Sequence, residues 1–113
     1  MSPTLLIAVV SDPLEEQAIA IAREEGLQGV TILPGRGIGF PEHSTFFGLT
    51  FQGLEKVLIW ITEGGTANHV AERLNVELDL LAPQRGLAFC LKIDRIAGAF
   101  HDASARTPPD DQD

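Results

Sequence analysis

The chain has 113 residues, enough for one small domain, and 44% of them are hydrophobic against 21% charged, a globular balance rather than that of a disordered segment. Its formal charge of −8 opposes nucleic-acid binding, which draws on a basic face to displace counterions from phosphates. No apolar run approaches the ~20 residues of a membrane span, the opening MSPTLLIAVV lacks the basic flank of a signal peptide, and the lone Cys90 forms no intramolecular disulfide. A cytoplasmic location without membrane insertion is expected.

Residues 5–10, LLIAVV, form a continuous apolar run of strand length, the mark of a central strand covered on both faces. A helix follows, with Asp12 placed as N-cap, Pro13 at the first helical position, Glu15 three residues after the cap and Gly26 as left-handed terminator. Leu14, Ala18, Ile21 and Ala22 share its inner face, and Glu15, Glu16, Glu24 and Glu25 read as a solvated face. Residues 29–39, GVTILPGRGIG, then carry a short strand, Val30 to Leu33, into a glycine-rich stretch. Pro34 withdraws a donor, while Gly35, Gly37 and Gly39 permit positive φ around Arg36. This reads either as a mobile loop or as a cradle of N–H groups for phosphate or carboxylate.

Residues 40–56 are less regular, although Phe47, Leu49 and Phe51 alternate as in a strand. Phe46 and Phe47 either begin that strand or form an exposed aromatic docking patch. The run VLIWI, residues 57–61, predicts a strand whose Ile59 and Trp60 point opposite ways and both need cover. Ala67, Val70, Ala71, Leu74 and Leu78 recur at helical spacing, with Thr62 or Thr66 as cap and Gly64 and Gly65 weakening the first turn. LLAPQRG supplies a turn, and residues 87–93 a last strand with Leu87, Phe89, Leu91 and Ile93 on one side and Ala88, Cys90 and Lys92 on the other. Residues 101–113, HDASARTPPDDQD, are too polar to fold and read as a disordered acidic tail after a domain of residues 1–100.

Strand, helix, strand, repeated once, predicts an α+β fold: a ferredoxin-like double β-α-β with an antiparallel four-stranded sheet. That arrangement puts both helices on one face of the sheet, yet two strands are apolar on both faces. The open face is expected to be buried between subunits of a closed homo-oligomer.

On these residues the chain, over positions 5–98, resembles the PII family of trimeric signalling proteins, and specifically one of its divergent PII-like branches. The motifs are GLQGVTILPGRGIG at the strand-to-loop junction and PQRGLAFCLKIDRIAG at the last loop and strand. The resemblance implies a homotrimer whose sheets line the centre and whose intersubunit clefts bind an adenine nucleotide. A flexible T-loop would grip or release a membrane transporter or an enzyme. Carried over, Gly29, Val30 and Thr31 frame the adenine and ribose, and Ile61 offers backbone to the base. Gly37 and Gly39 form the base of the T-loop near the phosphates. Arg85, Gly86, Leu87 and Ala88 occupy the phosphate loop, with Arg36 and Arg85 as its cations.

Departures from the family pattern modify this expectation. The chain has no tyrosine to be nucleotidylated, and its T-loop segment is short. Pro83-Gln84-Arg85-Gly86 replaces the classical Gly-Asp-Gly-Lys, and Gly98 and Phe100 stand where two polyphosphate-binding arginines are usual. Fewer cations weaken a triphosphate most, so ADP, AMP or a different small anionic metabolite is expected over ATP. Phe40 and Pro41 replace the glutamine associated with 2-oxoglutarate. Bicarbonate is a candidate co-ligand, and no cofactor is required.

Two other classes remain beside this one. An enzyme would have His43, His69, His101, Cys90 and the carboxylates to draw on, but the histidines are isolated and show no ligand spacing such as H-x-x-x-H, so no catalytic residue is assigned. A metal-tolerance protein of similar outline expects clustered soft ligands, against one Cys and one Met here. A nucleotide-independent trimeric scaffold is the further alternative.

Overall fold

The computed structural model describes residues 2–38, 45–46, 49–50 and 52–98, with side-chain surroundings over 2–36 and 53–98. The acidic tail, Gly39, His43, Phe47, Phe51 and His101 lie outside the described residues. In chain order the elements are β1 (Pro3–Ser11), a 3-10 turn (Asp12–Leu14), α1 (Glu15–Glu24), β2 (Thr31–Ile38), β3 (Thr45–Phe46), β4 (Leu49–Thr50), β5 (Gln52–Glu63), α2 (Gly64–Glu77) and β6 (Gly86–Lys92). Four strands form one antiparallel sheet in the order β2-β5-β1-β6, and β3 and β4 form a separate two-residue ladder. This is the ferredoxin-like double β-α-β topology expected from the sequence.

Alternation along β1 divides the molecule. Thr4, Leu6, Ala8 and Val10 are buried, and with Leu58, Trp60 and Thr62 of β5 they form the floor of the core. Ala18, Ile21 and Ala22 of α1 and Ala67, Val70 and Leu74 of α2 close it from above, with Leu78 just beyond α2. Burial of each such leucine contributes roughly 2–3 kcal/mol, so these positions, rather than surface ion pairs, supply the bulk of the stabilisation. Cys90 is half-buried and packs against this core, and desolvation raises its thiol pKa, keeping it protonated and inert.

The opposite face of the sheet is apolar as well. Register sets Leu33, Val57, Val9 and Leu87 in one row, Thr31, Ile59, Ile7 and Phe89 in the next, and Ile61, Leu5 and Leu91 in a third. In the single chain, Leu33, Ile61, Leu87, Phe89 and Leu91 remain 39–53% exposed.

The helix ends follow the sequence in part. At the end of α1, Gly26 has φ +97°, Leu27 N–H donates to Ala22 O and Gly26 N–H to Arg23 O, both at 3.0 Å, a complete Schellman motif. Asp12, however, does not cap the helix: it lies inside the 3-10 turn and its carboxylate is 2.9 Å from Lys56 Nζ. The carboxylate is taken instead by the lysine on β5, which offers a full opposite charge where helix N–H groups offer only a partial one. α2 is capped by neither threonine. Glu63 folds back, Oε2 accepting from Gly65 N at 2.9 Å and Oε1 from Thr66 N at 3.0 Å. Gly65 makes room for it, since a Cβ there would lie 3.2 Å from Oε1.

Candidate functional site

The glycine-rich stretch is neither a mobile loop nor a concave cradle over its described part. Pro34, Gly35, Arg36, Gly37 and Ile38 continue β2 and pair in register with Lys56, Glu55, Leu54, Gly53 and Gln52. An extended ladder points successive N–H groups alternately to either side, so the run of convergent donors expected from the glycines does not form. β1 ends at Ser11, opposite Glu55, so Arg36–Ile38 and Gln52–Leu54 extend beyond the body as a two-stranded arm. Arg36 is exposed on that arm and makes no ion pair among the described residues.

The loop between α2 and β6 is, by contrast, tightly built. Asp79 (φ +54°) and Gln84 (φ +64°) take left-handed conformations without being glycine. Ser11 N–H donates to Arg85 O at 3.0 Å, and Ser11 Oγ donates to Gln84 O and, at 3.4 Å, to Arg85 O. Arg85 Nε donates to Leu78 O at 2.9 Å, so one edge of its guanidinium closes the loop. Gly86 has φ +138°, and a Cβ there would stand 2.2 Å from Val9 O.

The expected ligand residues therefore fall into three groups. Gly29 and Val30 precede β2, and Thr31, opposite Ile59, brings them near Ile61 at one end of the sheet. Arg36 and Gly37 lie at the other end of the same edge strand. Arg85 immediately precedes β6 and Gly86, Leu87 and Ala88 begin it, on the opposite edge, at the end shared with Arg36, because Val10 pairs with both Lys56 and Gly86. Three strand spacings, about 14 Å, separate the two edges. One chain thus places both arginines at one end of the sheet without converging them on one phosphate group.

Two other cations of the chain, Lys56 and Arg73, are already paired with carboxylates. Lys56 Nζ contacts Asp12 Oδ1 at 2.9 Å and Glu15 Oε1 at 2.7 Å, and those hydrogen bonds hold it protonated well above the ordinary lysine range. On the helix side Arg73 joins α1 to α2, reaching Glu24 and Glu25 at 2.9 Å and Glu77 at 2.6 Å. His69 Nε2 lies 3.3 Å from Glu25 Oε2 on this exposed surface. Among the described residues no group of three His, Cys, Asp or Glu side chains is arranged to hold a metal ion. No described helix is long and apolar enough to cross a membrane. Sequence reasoning missed Ser11, whose only signal is a hydroxyl at the end of the first strand.

No family model matches the chain, and no curated protein matches it significantly. Solved structures do. A protein from Thermus thermophilus described as a PII-like signalling protein is 24% identical, with a TM-score of 0.61 over 81% of this chain and 87% of that one. GlnK from B. subtilis in complex with ATP is 14% identical, with a TM-score of 0.61 over 81% and 82% of the two chains. A second structure of B. subtilis GlnK gives 16%, 0.56, 83% and 87% for the same measures. The chain has the fold of the PII-like proteins.

Proposed function

We propose that this PII-fold chain is a regulatory signalling protein which assembles as a homotrimer, binds a small anionic ligand at its subunit boundaries and passes that state to a partner protein. The observation that carries the reading is the apolar open face of the sheet, which no described part of the chain covers and which is the kind of surface that marks an interface. Assembly through that face brings sheet edges of different chains near one another, and residues separated within one chain then have ligand-binding neighbours in the next. An adenine nucleotide is the ligand class favoured by the likeness to GlnK, whose structure holds ATP.

Within this reading, Gly29, Val30, Thr31 and Ile61 form the base-binding group, with the Arg36–Gly37–Gly39 segment and the Arg85–Gly86–Leu87–Ala88 segment at the phosphates. Arg85 has its Nε committed to Leu78 O, so only the ends of its guanidinium remain for an anion. Two arginines without a lysine suit a diphosphate or monophosphate better than a triphosphate. ADP or AMP is therefore proposed over ATP, with bicarbonate as a candidate companion and a transporter or enzyme as the partner of the short T-loop.

Calorimetric titration of the full chain with AMP, ADP and ATP at physiological ionic strength tests this. The expected result is saturation near one nucleotide per subunit with ATP weakest. ATP binding tenfold tighter than ADP removes the proposed preference, and silence with all three leaves the nucleotide-independent scaffold.

A further inference from the structure

The loop from Leu78 to Gly86 is held in part from outside itself, by the backbone N–H and the hydroxyl of Ser11 on another element. Ser11, the last residue of β1, donates its N–H to Arg85 O, and its Oγ donates to the successive carbonyls of Gln84 and Arg85. Gln84 itself stands at φ +64°, so the chain turns sharply just as it reaches Ser11. With both carbonyls drawn inward to Ser11, the Arg85 backbone is held at one orientation. Its side chain is then fixed at a second point, where Nε meets Leu78 O at 2.9 Å. That leaves the Nη groups of the guanidinium, which make no ion pair with a carboxylate among the described residues. This differs from Lys56 and Arg73, whose charges are matched by Asp12, Glu15 and the glutamates of the helices.

We propose that Ser11 is a positioning residue for anion binding: its hydroxyl clamps the Gln84 and Arg85 carbonyls and so pre-orients the Arg85 guanidinium toward a phosphate. The inference rests on the ligand reading above, and it adds a residue that the anion does not touch. Pre-orientation lowers the ordering cost of binding, so losing the clamp weakens the anion without altering the base-binding group at the far end of the sheet.

The test compares ADP with adenosine by calorimetry on the full chain carrying Ser11→Ala, Ser11→Thr or Arg85→Ala, alongside thermal melting. Ser11 is only half-buried, so alanine opens no large cavity. Ser11→Ala is expected to weaken ADP about 3- to 10-fold, the scale of one or two hydrogen bonds, while adenosine binding is unchanged and Ser11→Thr restores ADP. Arg85→Ala is expected to weaken ADP about 10-fold or more, as loss of a charged hydrogen bond should. If Arg85→Ala weakens ADP and Ser11→Ala does not, the positioning role falls and the ligand site stands. If Ser11→Ala lowers ADP and adenosine equally, together with the melting temperature, the hydroxyl is structural and the proposal falls. ADP affinity unaffected by Arg85→Ala overturns the phosphate site itself.

Discussion

At the scale of single residues, Gly86 shows how a functional pattern and a steric requirement coincide at one position. A Cβ at Gly86 would lie 2.2 Å from Val9 O and 2.8 Å from Val10 Cα, both backbone atoms of the central strand, at φ +138°. Neither atom can yield without distorting β1. Gly86→Ala is therefore expected to cost at least about 2 kcal/mol, the sum of a disfavoured backbone conformation and forced overpacking, readable as a lower urea midpoint in circular dichroism. An unchanged midpoint would mean that β6 can shift away from β1. A glycine in this loop therefore says nothing about a ligand by itself. The more informative neighbour is Ser11, and no pattern in the sequence singles it out: its partners, Gln84 and Arg85, are more than seventy positions away.

At the scale of elements, periodicity identifies what is buried, and tertiary pairing decides the rest. Ala18, Ile21, Ala22, Val70 and Leu74 face the core as their spacing requires. The cap of α2 is hidden in the sequence because a glutamate rarely caps, and it does so here only where Gly65 leaves space. The glycine-rich arm is equally illegible, because Pro34 and three glycines oppose strand formation locally, whereas the ladder to β5 holds Pro34 through Ile38 extended. The Arg73 cluster makes the helix pair itself testable. Its guanidinium holds the Glu77 carboxyl below the ordinary range, so Glu77 contributes stability that is fully present above about pH 4.3. That stability is lost as pH falls through the depressed folded value, because the unfolded chain binds the proton first. Glu77→Gln is expected to flatten the acid limb of a stability–pH curve below about pH 4.3, with the difference shrinking in high salt because the pair is exposed. Parallel curves for both proteins would show that the ion pair adds nothing in solution.

At the scale of the whole molecule, the question is what covers the second face of the sheet. In an isolated chain Phe89 and Leu91 are 39% and 53% exposed, so a charge placed there meets water and costs little. In an assembly closed over the Leu5, Ile7 and Val9 rows, the same charge would be buried without a partner, at a cost of several kcal/mol. The two situations predict opposite outcomes for one substitution. Phe89→Glu is expected to leave the circular dichroism spectrum intact while light scattering falls from the mass of three chains to that of one. Cooperative unfolding should become independent of protein concentration at the same time, since association no longer contributes to stability. ADP binding should be lost with the trimer, although Arg36, Arg85 and Ser11 are untouched, because in the proposed site a single chain does not bring its ligand groups together. If Phe89→Glu dissociates the protein and ADP still binds, the ligand site lies within one chain and the boundary site is wrong. If the wild-type chain already scatters as a monomer, the open face serves some other partner.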